Sequence, residues 1–181
     1  MNAEILCVGT ELLLGDIVNT NAAYIARSLA AIGVNVYHQS VVGDNPERLK
    51  GSLDLALSRA DLVVMTGGLG PTYDDLTKET VAEKFGLPME LHRPSLDRIS
   101  AYFKRVNRVM THNNEKQAWM PKGARVFPNN YGTAPGLAVQ EGEKIVILLP
   151  GPPKEMEPMF AEEVVPYLKS FSDTVLLSHT V

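Results

Sequence analysis

The run D-L-V-V-M-T-G-G-L-G-P-T-Y-D-D-L-T, Asp61 to Thr77, decides how this chain folds. Asp61–Met65 is a short, mostly apolar segment of strand length, and it runs directly into a turn with three glycines in four positions, Gly67, Gly68 and Gly70. A helical pattern follows from Leu76 to Phe85, closed by Gly86. Strand, glycine turn and helix in that order form the repeating unit of a parallel α/β sheet.

The same unit recurs upstream. Glu4–Val8 (E-I-L-C-V) reads as a buried strand ended by Gly9. Ala22, Ile25, Leu29 and Ile32 fall on one helical face, with Asn19 or Asn21 as the cap and Gly33 as the stop. Val34–Val42 reads as a second strand. Asp44 or Asn45 then caps a helix that has Pro46 in its first turn and Leu49, Leu53, Ala56 and Leu57 on its apolar face. Strands joined by helices at these lengths require a parallel sheet with both faces covered. Ligands of such sheets bind beyond the carboxyl ends of the strands, which here means Gly9–Asp16, Gly43–Pro46 and Thr66–Asp75.

Downstream, the spacing predicts a helix over Arg93–Val106 and strands at Ala124–Phe127, Gly136–Val139 and Lys144–Leu149. Met110–Pro121 shows no clean period. Met156, Met159, Phe160 and Val164 mark the inward side of a last helix, which Pro166 is expected to kink or end. Thr174–Ser178 reads as a further strand.

The chain has 181 residues, 45% of them apolar and 21% charged, as suits one soluble globular domain spanning 1–181. A net charge of −4 without a basic cluster argues against nucleic acid as a partner. No apolar run approaches the ~20 residues of a membrane span, and no signal peptide opens the chain, so a cytoplasmic protein is expected. Cys7 is the only cysteine, which excludes an intrachain disulfide and suits a small buried hydrophobe. Trp119 is expected to pack on the core, and His112 to sit in a solvated loop. A homo-oligomer is left open.

The glycine turn suits an anion, because glycine brings the backbone close and the helix start adds unpaired N–H groups. The backbone N–H groups of Gly67, Gly68 and Gly70 are the candidate phosphate donors, with hydroxyls from Thr66 and Thr77. The alternative is a purely structural turn. No lysine ends the loop, unlike the G-x-x-x-x-G-K-[S/T] phosphate loop. Asp74 and Asp75 stand there instead, and Asp44 is expected to reach the same rim. One carboxylate suffices to cap the helix; a second beside a phosphate would repel it by about 4 kcal/mol at ~4 Å and an effective dielectric of about 20. A divalent metal ion (Mg, Mn or Co class) reverses that sign, so Asp44, Asp74 and Asp75 are the candidate metal ligands. Glu11 and Asp16, in G-T-E-L-L-L-G-D, are candidates for orienting water. Gly151 and Lys154, in G-P-P-K-E, are candidates for a second anionic contact; an ordinary rigid helix start is the alternative reading.

G-T-E-L-L-L-G-D, V-G-D-N (Val42–Asn45), T-G-G-L-G-P-T-Y-D-D-L-T, N-Y-G-T-A-P-G (Asn130–Gly136) and L-P-G-P-P-K-E-M together resemble the amino-terminal domain of the CinA (competence/damage-inducible protein) family. That domain is similar to the molybdopterin-binding domain of molybdenum-cofactor biosynthesis proteins. The resemblance implies a three-layer α/β/α sandwich with a mostly parallel central sheet. It implies a metal-dependent pyrophosphatase acting on a small nucleotide substrate, ADP-ribose, to give AMP and ribose 5-phosphate. Aspartates matching Asp44 and Asp75 are functional in the molybdopterin relatives. Longer members carry a carboxy-terminal deamidase domain; the resemblance here covers only the amino-terminal domain, so deamidation is not expected. Two rival readings use the same loop: a molybdopterin-binding protein of cofactor assembly, and a non-catalytic interaction domain.

Overall fold

The computed structural model describes residues 1–178, with side chains as far as Phe171. Two strands form where the apolar runs stand, β1 (Asn2–Val8) and β3 (Leu62–Thr66), and the mixed, mostly exposed β2 (Asn35–Val42) forms the sheet edge. Two helices connect them, α2 (Thr20–Ala31) and α3 (Pro46–Arg59), preceded by a single turn, α1 (Thr10–Leu14). Asn19 caps α2 by accepting the Ala22 N–H, and Asn45 caps α3 by accepting that of Arg48. Asp44 is therefore not a helix cap.

After β3 come α4 (Thr77–Lys84), β4 (Met89–Leu91), α5 (Arg93–Arg105), α6 (His112–Glu115) and β5 (Trp119–Pro121). β4 and β5 pair antiparallel as a small separate sheet, so Trp119 sits on a two-stranded ribbon and is 42% exposed rather than packed on the core. Its neighbourhood lacked a period because α6, a 3₁₀ turn and β5 change conformation every three or four residues. His112 is exposed, on α6. β6 (Arg125–Phe127), β7 (Gly136–Glu141) and β8 (Lys144–Leu149) complete the main sheet.

The main sheet runs β2-β1-β3-β8-β7-β6. Its first four strands are parallel, and β7 and β6 extend it antiparallel. Alternate strand residues serve the two faces. Ile5, Cys7, Leu62, Val64 and Ile147 pack under α2 and the carboxy-terminal helices, whereas Leu6, Val63, Met65, Val146 and Leu148 pack under α3 and α4. The result is a three-layer α/β/α sandwich. Burial raises the Cys7 thiol above its ordinary range. Glu4, inside the apolar run, is 1% exposed; Arg59 bonds both its oxygens, at 2.8 and 2.9 Å, and the Ser40 hydroxyl adds a third bond.

The carboxy-terminal helix does not end at Pro166. Met156, Met159, Phe160 and Val164 are buried as expected, on α7 (Pro153–Met159) and the π-turn after it. That turn, Phe160–Val164, is closed by a bond from the Val165 N–H to the Phe160 carbonyl. Pro166 then falls in the first turn of α8 (Val165–Ser178), where its missing N–H is tolerated. Thr174–Ser178 is thus helical, not a strand.

β1 lies between β2 and β3, so the chain reverses its direction of sheet growth after β2. The crevice at such a switch point, beyond the carboxyl ends of β1 and β3, is where a doubly wound sheet accepts ligands.

Candidate functional site

A cleft of about 600 Å³ opens at that point. Its walls include Val8 and Gly9 after β1, Asp44 after β2, Thr66–Thr72 after β3 and Pro150–Pro153 after β8.

The glycine turn is built by the backbone. Gly67 and Gly68 have φ of 103° and 67°, in the left-handed region. A Cβ on Gly67 would stand 2.1 Å from the Val8 carbonyl oxygen, and one on Gly68 2.1 Å from Thr77 Oγ1. No other residue type fits at either place. The Gly67 N–H donates to Leu149 O at 3.0 Å and is spent in bracing β3 against β8. Among the described residues, the N–H groups of Gly68, Leu69 and Gly70 carry no hydrogen bond, and all three residues line the cleft.

Both threonine hydroxyls are committed internally. Thr66 Oγ1 donates to Pro150 O at 2.9 Å and accepts from Asn21 Nδ2 at 2.9 Å. Thr77 is 1% exposed, donates to Gly67 O at 3.1 Å and does not line the cleft. They hold the turn rather than offer donors to a ligand.

The carboxylates divide. Asp44, Asp74, Asp75 and Glu11 line the cleft, and Asp16 does not. Asp44 Oδ2 accepts from the Thr10 N–H and hydroxyl, at 2.9 and 2.8 Å, and so ties the β2 turn to α1. Asp75 does not cap α4, whose start has no side-chain cap. Its Oδ2 accepts from the Thr72 N–H at 2.9 Å and from the Thr72 hydroxyl, closing the turn on itself. Asp74 is exposed.

Behind the turn, Lys116 Nζ donates to Thr72 O and Asp75 O, and Gln117 Nε2 donates to Leu69 O. Lys78, 2% exposed on α4, donates to the carbonyls of Lys116, Gln117 and Trp119 at 2.9, 3.2 and 2.9 Å. Burial lowers its pKa to about 8. A lysine in place of the usual phosphate-loop cation therefore exists, but it faces carbonyls rather than the cleft.

Across the cleft, Lys154 is exposed and outside the lining. Gly151 gives its carbonyl to Asn21 Nδ2 at 2.7 Å. Glu155 occupies the place expected of Lys154. It lines the cleft half-buried, accepts from Asn129 Nδ2 at 2.6 Å, and burial raises its pKa. Sequence reasoning passed over Asn21, Gln117, Asn129 and Glu155. Asn21 lay within a helix-cap pattern and Glu155 at the end of G-P-P-K-E, where an anionic contact points to the cationic Lys154 instead; nothing local marked Gln117 and Asn129.

Asp44, Asp74 and Asp75 are hard oxygen donors in one cleft, which suits a divalent cation of the Mg, Mn or Co class. Among the described residues no three His, Cys, Asp or Glu side chains form a ready cage. The donor set fits the partial kind, one or two carboxylates completed by phosphate oxygens and water. No described helix is long and apolar enough to cross a membrane.

The family described as "Probable molybdopterin binding domain" matches residues 4–170. The chain is 57% identical over 181 residues to a CinA-like protein of Dictyoglomus thermophilum, covering 100% of this chain and 44% of that protein. It thus spans less than half the length of the curated relatives it matches. It is 40% identical to CinA of Thermoplasma acidophilum, whose structure matches with a TM-score of 0.82 over 91% of this chain and 97% of that one. MoaB, a molybdopterin biosynthesis enzyme of Thermus thermophilus, matches with a TM-score of 0.61 at 24% identity over 92% and 91% of the two chains, a likeness of fold alone.

Proposed function

Because the chain belongs to the molybdopterin-binding domain family, in its CinA line, we propose that its cleft hydrolyses the diphosphate bond of ADP-ribose with the help of a divalent metal ion. The observation that carries this reading is the uncommitted N–H row of Gly68–Gly70 in the same cleft as Asp44, Asp74 and Asp75. Donors alone would suit any anion. Donors beside carboxylates suit an anion that arrives with a cation.

The N–H groups of Gly68 and Gly70 bind one phosphate and hold it against thermal tumbling, so its phosphorus presents one face to water. One or two of Asp44, Asp74 and Asp75, completed by phosphate oxygens and water, would hold the metal, which when bound draws charge off the phosphoryl oxygens. Glu11 orients the attacking water. Water forms the new P–O bond and gives a proton to solvent. The bond from that phosphorus to the bridging oxygen breaks, and that oxygen leaves with the other phosphate. Attack on either phosphorus gives AMP and ribose 5-phosphate. Asp16, Thr77 and Lys154 have no part in this step.

The test is chromatographic detection of AMP from ADP-ribose, with metal-stripped and metal-restored protein. Turnover that appears only on restoring the metal supports the reading. Tight binding of a phosphorylated pterin without AMP release would replace it with cofactor assembly, the second reading the family favours.

A further inference from the structure

Glu155 is the one half-buried carboxylate in the cleft that the proposed hydrolysis does not use. Three elements fix its position. Asn129 Nδ2 donates to its Oε2 at 2.6 Å and to Ala134 O at 2.9 Å, so the amide that orients the carboxylate is itself anchored. Asn129 Oδ1 accepts the Tyr131 N–H at 2.9 Å, which fixes that side chain's other end. The Asn130–Thr133 turn closes over the group so tightly that a Cβ on Gly132 would stand 2.0 Å from Glu155 Oε2. Oε1 has no partner among the described residues.

Position and charge say what such a group can meet. β8, which delivers Glu155, neighbours β3, which delivers the phosphate turn; Asp44 and Glu11 follow β2 and β1 on the opposite side. Adjacent strands lie ~4.8 Å apart. Glu155, on the helix after β8, therefore flanks a phosphate held beyond β3 on the side away from β1. A carboxylate there would repel phosphate; of the aspartates proposed to hold the metal, Asp44 lies on the other flank and Asp74 and Asp75 follow β3 itself. An ionised carboxylate accepts only, with about four lone-pair sites, of which Asn129 uses one. On the sugar of a ribonucleotide, the neutral group that presents two adjacent donors is the 2′,3′-diol.

We propose that Glu155 is a specificity-determining residue that receives the 2′,3′-diol of a ribonucleotide whose phosphate sits on Gly68–Gly70. This rests on the nucleotide reading of the cleft and adds to it a selection for ribose over deoxyribose.

The test is calorimetric titration of the whole chain, in Mg²⁺ buffer, with AMP, 2′-deoxy-AMP and 3′-deoxy-AMP. The wild-type comparison needs no variant. AMP is expected to bind at least ~10-fold more tightly than either deoxynucleotide, the scale of one hydrogen bond to a charged group. Glu155→Gln should weaken AMP by at least ~10-fold and shrink its advantage over each deoxynucleotide to within ~2-fold, which a merely structural role would not do. Equal wild-type affinities, or a ribose preference that survives in Glu155→Gln, would overturn the diol assignment and leave the nucleotide reading intact. Failure of all three nucleotides to bind would overturn both.

Discussion

Two turns face each other across the cleft, and their sequences look alike: T-G-G-L-G-P after β3 and L-P-G-P-P-K after β8, each joining a buried strand to a helix. Their chemistry is opposite. The first leaves the N–H groups of Gly68, Leu69 and Gly70 uncommitted. In the second, Pro150, Pro152 and Pro153 have no N–H to give, the N–H groups of Glu155 and Met156 fold back to Pro152 O, and the carbonyls of Pro150 and Gly151 are taken by Thr66 and Asn21. The first turn offers a row of three donors; the second offers the Gly151 N–H, braces the first and presents an acceptor, Glu155. Glycine marks a place where backbone comes close to something, and only the surroundings say whether that something is ligand or protein.

The contrast is broken most directly at the glycines. Gly67→Ala forces a side chain into the Val8 carbonyl at positive φ and should cost at least ~3 kcal/mol in urea unfolding, whereas Gly151→Ala, whose Cβ would meet Gly67 Cα at 3.6 Å, should cost less than ~1 kcal/mol. Equal costs would mean that the two turns are interchangeable braces. Asp75→Asn keeps the shape of the first turn and removes its charge. It should lower ADP-ribose turnover at least ~100-fold, the scale of a key electrostatic group. Unchanged turnover would remove Asp75 from the metal.

The first turn also rests on a buried cation, and the second does not. Burial lowers Lys78 to about 8, while in the unfolded chain it titrates near 10.5. Between those values the unfolded state binds more protons, so this residue makes stability rise with pH, by no more than ~1.4 kcal/mol per unit. Below about pH 8 both states are protonated and the contribution is flat. Unfolding measured from about pH 7 to 10.5 should show this slope in the wild type minus Lys78→Met difference; a flat difference would place the ammonium in water. The smallest expected change is at Lys154. Lys154→Ala should leave turnover within ~2-fold, because the side chain is exposed outside the cleft lining.

Much of the fold was open to reading along the chain. Asn19, Gly33, Asn45 and Pro46 bound α2 and α3 where their local chemistry says they should, and the β3-turn-α4 unit is as written. Thr174–Ser178 misled because its β-branched residues carry a local preference that the continuing helix overrides. At the site, the glycines and the acidic rim were visible as types. The fates of Thr66, Thr77, Lys154 and Glu155 were not, since a helix start shows which residues are present and not which way they turn.

The order β1-α2-β2-α3-β3-α4 and the location of the ligand end were set by the sequence alone, because periodicity, caps and turn residues act over a few neighbours. Which donors remain free was decided only by the tertiary structure. The Thr66 hydroxyl donates to a carbonyl 84 residues away, and the Asn21 amide nitrogen to one 130 residues away. A hydrogen bond between such distant groups exists only once the sheet has brought them together, and it removes from chemistry the hydroxyls that the pattern had offered.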